Sequence, residues 1–448
     1  MWRLCSDLVP VVRFVVQPAA HTDLPKPSVI RLKGARRTVA KARWVRSMGL
    51  FIVASIASRP AVAQTVNPDL TPVDLFVPEH GDGVRITPGF ILYPAVETTI
   101  DFDSNIYNVE SSKRSDAIGH IRPSLVLDSD FTRHSIELDA GADIKRYANN
   151  SAENAEAYYV DLKSRLDLAG LVTVRPEAGA ARGYEQRGTA GDQFLTDKPV
   201  TYHRRYVGVE VARDRGILGL TARGRITTLS YDDASVGGLP IDLSDRDVTL
   251  RSVSLRARYR LHEGYSTFIE GGLSQVDYRT TVGAQRNSHG YSILAGVQFQ
   301  PSAMIDIEAG AGYLQQDFDD PAFTPVKALN YRLSANWIPR RDWAVRAEVR
   351  RDVDPSPRFD TAAIFRTQYI AGVQHSMGDR MLVGAEAAAV TEDYRGIVRS
   401  DQYYRVGVSA RYRLNDRVGL TAQAGYRSQD GGRNYGGFSA GIGVRIAV

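Results

Sequence analysis

The residues best placed to do chemistry are arginines spaced two apart. In SVSLRARYRL, Ser252 to Leu261, the positions Val253, Leu255, Ala257, Tyr259 and Leu261 are apolar or aromatic, and Arg256, Arg258 and Arg260 fall between them. An extended strand sends alternate side chains to opposite faces, so one face here is greasy and the other carries three guanidiniums. The preceding segment LGLTARGRI puts Arg223 and Arg225 on one parity, Arg346 and Arg350 flank Glu348, and Arg405, Arg411 and Arg413 share a face further on. Such rows can hold carboxylates through forked, charge-assisted hydrogen bonds. Like charges on adjacent strands repel, so the cluster must be hydrated, paired or neutralised by a bound anion. The competing reading is that these arginines bridge to loop or plug carboxylates and only stiffen the wall.

Catalysis finds less support. No HExxH, GxSxG or phosphate-binding loop occurs, and no Ser/His/Asp set can be picked out by spacing. The eight histidines are scattered, most of them near loops or turns. SQDGGRN at 428–434 offers one carboxylate, too few for a calcium site. The only cysteine, Cys5, excludes a disulfide framework and a thiolate zinc site. The expectation is a protein that is not an enzyme and uses no cofactor.

The formal charge of +5 is a property of the leader. Residues 1–63 hold 11 Lys or Arg against 2 Asp or Glu, leaving 45 basic and 49 acidic residues beyond, so nucleic-acid binding loses its support. Within 64–448 there are 40 Arg and 5 Lys, a bias that suits enclosed ion pairs or anionic ligands, or a GC-rich genome. KARWVRSMGLFIVASIASRPAVAQ has the basic, apolar and small-x-small parts of a secretory signal, with cleavage expected between Ala63 and Gln64. Residues 1–63 are read as a signal peptide with a mis-annotated N-terminal extension, the true start lying nearer Val39 to Met48. Residues 64–88, Pro-rich and without strand pattern, are expected to form a periplasmic tail or an inserted plug.

The elements that must position the arginines are strands. From about Gly89 to Val448 the alternation recurs in HSIELDAGADIKRY, AYYVDLKSRLDL, YRLSANW, WAVRAEVRR and YYRVGVSARYRL, and no convincing apolar run has helical spacing. About eighteen strands fit, the first near 89–101 and the last near 434–448. Their connections alternate between tight turns (LAGL, RDRG, HEG, PSAM) and long polar loops (NVESSKRSDA, QRGTAGDQFLTDKPVTYH, DDASVGGLPIDLSD). An all-β transmembrane antiparallel barrel predicts that rhythm: short periplasmic turns, long extracellular loops, even strand count. Residues 89–448 are therefore read as a barrel in the bacterial outer membrane, with lipid against the apolar parity and arginines facing the lumen. Aromatics near strand ends, such as Tyr184, Tyr231, Tyr313, Trp337, Tyr394 and Tyr426, are assigned to interfacial girdles. Asp139, Asp143, Asp306 and Glu308 belong to strands distant in sequence from the arginines, which suggests basic and acidic walls with a transverse field.

The segment from DFDSNIY through SDAIGHIRPSLVLDSDF to RHSIELDAGADIKRY resembles the start of the proteobacterial outer-membrane family known as putative β-barrel porin 2, and the likeness runs more weakly over about residues 85–448. The last strand, NYGGFSAGIGVRIAV, is similar to the C-terminal signal that such barrels present to the barrel assembly machinery, though it ends in valine rather than an aromatic residue. Some family members are encoded among exopolysaccharide genes. The resemblance thus implies a porin-like conduit for exopolysaccharide export or anionic solutes, the alternative being a non-conducting structural or adhesive barrel.

Overall fold

The computed structural model describes residues 82–168, 172–214, 216–279 and 285–448. The signal segment, the Ala63/Gln64 junction and most of the expected tail lie outside the described residues. Eighteen long strands of 13 to 15 residues each, from Phe90–Asp103 to Tyr435–Ala447, pair antiparallel with their sequence neighbours. The first long strand also pairs with the last, from Ala95↔Ala447 to Asp103↔Ser439, so the sheet closes on itself. Closure leaves no ladder edge exposed to lipid, as a bilayer demands of any spanning sheet. No described helix is long and apolar enough to cross a membrane.

Parity sorts the side chains. In Val248–His262, Val253 and Leu255 are 60% and 58% exposed on the outer face, whereas Ser254 and Arg256 are 7% and 3% exposed on the inner one. Turns of two residues link His262 to Tyr265 and Ser302 to Ile305, and longer loops such as 185–200 and 232–247 join the opposite ends. Gly264 needs its freedom: its φ is +77°, and a Cβ there would meet the backbone of Gln300 and Pro301 at 2.7 Å. Part of the segment expected as a tail is ordered sheet instead. Val84–Thr87 forms a short strand against Phe90–Leu92, and Gly83 N donates to the Val448 carbonyl at 3.1 Å.

The expected girdle needs one correction. Tyr313, Trp337 and Tyr426 are exposed on the outer face, but Tyr184, Tyr231 and Tyr394 are buried. Their parity is inward, and Tyr231 packs beside Tyr202 and under the Arg246 guanidinium. Position near a strand end does not make a girdle residue; parity decides.

Candidate functional site

Inward-facing side chains differ between the two ends of the barrel. At the long-loop end Thr99, Asp101, Asp103, Asp354, Asp401 and Gln429 are buried. At the short-turn end of the same strands Glu97, Arg346 and Arg411 are only half-buried. Burial is densest under the long loops, although Ser266, Gln298, Ala344 and Gln374 are buried on the inner face at the short-turn end as well.

Loop 185–200, between the fifth strand (Val172–Tyr184) and the sixth (Thr201–Arg213), makes the long-loop closure together with the largely buried segment 356–362, whose Ser356 carbonyl accepts from Arg286 Nη1 at 3.2 Å and from Tyr278 Oη at 2.9 Å. Residues 185 to 192 are all buried, which a loop lying out in solvent would not be. Ala190 packs with Ile364 and Tyr394, on the fourteenth (Ala363–Met377) and fifteenth (Met381–Arg395) strands, so the loop reaches the opposite wall. Polar clamps hold it. Arg187 grips Glu153 with Nη2 at 2.7 Å and Nε at 2.9 Å, and donates to the Thr196 carbonyl at 2.8 Å. Arg246 donates to Glu185 and to the Gly191 carbonyl, both at 3.0 Å, and Arg433 donates to Asp192 Oδ2 at 2.6 Å. Asn108 donates to the Arg187 carbonyl at 2.8 Å while accepting from Arg427 Nε at 2.9 Å. Buried charges require such partners, because desolvating an unpaired one costs several kcal/mol.

Two loop carboxyls titrate unusually. Burial pushes Glu185 up from the ordinary carboxylate range, against the pull of Arg246. Asp197 is held below that range chiefly by the backbone N–H of Gly238, with Ser235 and Gly237 adding to it. These donors come from a hairpin, Ala234–Val236 with Leu239–Ile241, whose Gly237 and Gly238 both have positive φ, as a two-residue turn of this hand needs. Beneath it Leu229, Tyr202, Leu243 and Leu250 form an apolar floor on the inner wall.

The arginines singled out from sequence do not form one basic wall. Arg256 is forked onto Glu308 at 2.8 and 3.1 Å, approaches Glu270 at 3.4 Å, and stacks 3.7 Å from the Phe268 ring centre. Glu308, three strands away along the sheet, was expected on a separate acidic wall; barrel curvature brings it across the lumen corner instead. Arg223 pairs with Glu210, Arg225 lies 3.3 Å from Glu177, and Arg258 pairs with Asp214 in a short turn. Arg260 stands exposed at the short-turn rim. Arg346 donates to Glu348 at 2.6 Å, and Arg350 lies 2.8 Å from Asp352. Arg405 donates to Glu386 at 2.8 Å, Arg413 to the Asp379 carbonyl at 2.5 Å, and Arg411 lies half-buried between them on the same parity.

The mouth loop was not foreseen. Its residues have no alternation to mark them, though the Gly-Gly pair at 237–238 was a readable hairpin signal. His120, read among histidines near loops, is buried inside, 2.8 Å from Asp143 and 3.5 Å from Asp101.

A closed eighteen-strand antiparallel barrel with an apolar outer face and a charged lumen defines an integral outer-membrane protein. The family model described as "Putative beta-barrel porin 2" matches residues 82–448, and the chain belongs to that family. Similar solved structures include the FrpB iron transporter of Neisseria meningitidis in apoprotein form (9% identity, 82% of each chain, TM-score 0.43). The siderophore receptor PirA of Acinetobacter baumannii (8%, 80% of each chain, 0.42) is another. A ferric enterobactin receptor PfeA mutant of Pseudomonas aeruginosa is 10% identical over 79% of this chain and 80% of its own, at 0.39. No curated protein matches the sequence.

Proposed function

We propose that the barrel is a conduit for anionic cargo, acidic exopolysaccharide or smaller anionic solutes, with loop 185–200 as its closure. The observation that carries this reading is the strip Arg405, Arg411 and Arg413 on one strand, half-buried and running down the inner face to the short-turn end, with Glu386 as the inward carboxylate beside it. These guanidiniums already have partners within the protein, and exchange of those partners for carboxylates entering from the short-turn side is the proposed transit. Acidic residues gather elsewhere, at Asp128, Glu137 and Asp139, so charge varies around the wall even though Arg256 is internally paired.

The second reading, a non-conducting scaffold, is favoured by how firmly Arg187, Arg246 and Arg433 hold the mouth shut. A deletion strain tests both. Loss of secreted acidic polysaccharide supports export, and normal secretion with impaired uptake of small anions assigns solute traffic. No change in either favours the scaffold.

A further inference from the structure

One ring nitrogen inside the barrel has two neighbours with opposite demands. His120, on the second strand (Asp116–Ser129), points inward and is fully buried. Its Nδ1 stands 2.8 Å from Asp143 Oδ1, on the third strand (Ser135–Tyr147), and 2.9 Å from Arg122 Nη2, two residues along its own strand. An ionised carboxylate only accepts and a guanidinium only donates. Nδ1 must therefore carry a proton for the first contact and be bare for the second. The two bonds exclude each other, and the protonation of the ring decides which one is made.

The other nitrogen fixes the sense of that choice. Nε2 has no hydrogen-bond partner, and Asp101 Oδ2 on the first strand lies 3.5 Å from it. Asp101 is itself held in place, accepting from Thr99 Oγ1 at 2.9 Å and from Gln423 Nε2 at 3.0 Å. A neutral ring is best served by a proton on Nε2, facing Asp101, which leaves the Nδ1 lone pair to accept from Arg122. The other neutral form sets a bare nitrogen against Asp101 and one donor against another at Arg122. An imidazolium donates from Nδ1 to Asp143 and from Nε2 toward Asp101, and Arg122 Nη2 then loses its acceptor.

The surrounding charges determine which group moves. Around the ring stand Asp101 and Glu97 from the first strand, Asp143 and Lys145 from the third, and Arg122 from its own. Arg445, on the eighteenth strand, lies 3.8 Å from Glu97. Three carboxylates thus meet three cations, and a protonated ring adds a fourth positive charge. Lys145 is buried, whereas the Arg122 side chain is 29% exposed, more than that of Arg445. The other contacts of Arg122, 3.3 Å to Asp143 Oδ1 and 3.6 Å to Glu97 Oε1, are longer than an ordinary N–H···O bond, so its fork is the one that can swing.

We propose that His120 is a proton-operated switch on Arg122. With the ring neutral, Arg122 is drawn against the wall by Nδ1. With the ring protonated, Asp143 and Asp101 hold the imidazolium, and the guanidinium turns into the lumen, where it presents its donors to anions. The switch does not depend on whether the barrel conducts.

The test is magic-angle-spinning NMR of the full-length protein in lipid bilayers, with isotope-labelled histidine and arginine, from about pH 4 to 9. The His120 signals are those absent from H120Q; should that variant not fold, as judged by heat-modifiable mobility, the ring is identified by its shift in D101N. The neutral ring should carry its proton on Nε2 and show a cross-peak between Nδ1 and Arg122 Cζ, and protonation should abolish that cross-peak at the same pH. D101N removes the anion facing Nε2, so both changes should move together about one pH unit lower, the scale of one nearby opposite charge. A neutral ring with its proton on Nδ1, an Arg122 contact that survives protonation, or a midpoint unmoved in D101N overturns the proposal. So does a ring whose protonation is the same throughout the range.

Discussion

Ala190, midway along the loop after the fifth strand, packs against Ile364 on the fourteenth, a contact that crosses the lumen from one wall to the other. A barrel of eighteen strands is wide enough for an aqueous channel unless something fills it. Here the filler is the chain's own loop, and its clamps are specific enough to be broken one at a time.

The Arg187–Glu153 clamp is the first to test. Both side chains are about 5% exposed or less, and Asp192 lies 3.6 Å from the same guanidinium, so Glu153→Gln removes the closer of its two carboxylates. Breaking a buried pair so that the charge is left uncompensated costs roughly 3–5 kcal/mol, and the remaining Asp192 keeps the cost here below that. The closed mouth should lose stability by less than that amount, seen as longer open times in single-channel records, with the heat-modifiable band of the barrel retained.

The two groups of arginines should respond differently. Arg256→Gln removes the fork on Glu308 and the stacking on Phe268, and should lower the melting temperature while barely moving the reversal potential. Arg405, Arg411 and Arg413 changed together to Gln should shift selectivity toward cations with a smaller loss of stability. Reversal potentials under a salt gradient, taken beside melting curves, separate the outcomes.

Acid should weaken the mouth through Asp197. Its carboxyl is held low by the Gly238 N–H first, then by Ser235 and Gly237, so the charged form is the bound form. A group with a depressed folded pKa contributes fully above its unfolded value, about 3.9, and that contribution is lost as pH falls through the folded value. Between pH 7 and 5 this clamp should be unaffected, whereas below about 4 channel openings should become more frequent. Asp197→Asn should flatten that acid limb in conductance recorded against pH.

The strands were legible because their signal is local. Period-two alternation bounded by tight turns located every long strand to within about two residues, Val248–His262 included. The pairing of Arg256 with Glu308 was not legible, because it depends on how closure curves the sheet and not on spacing along the chain. The mouth loop was hidden for a related reason: Arg187, Asp192 and Glu185 look like any polar loop until partners from other loops are beside them. Tyr184, Tyr231 and Tyr394 show a readable clue passed over, since their parity already pointed inward.

The most direct test of the central claim is planar-bilayer conductance of the wild-type protein against a variant in which residues 187–196 are replaced by a short Gly-Ser linker. The account predicts a wild type that is closed or rarely open and a variant with large, sustained, anion-preferring conductance. A folded variant that stays closed would contradict it, as would a wild type already as conductive as the variant.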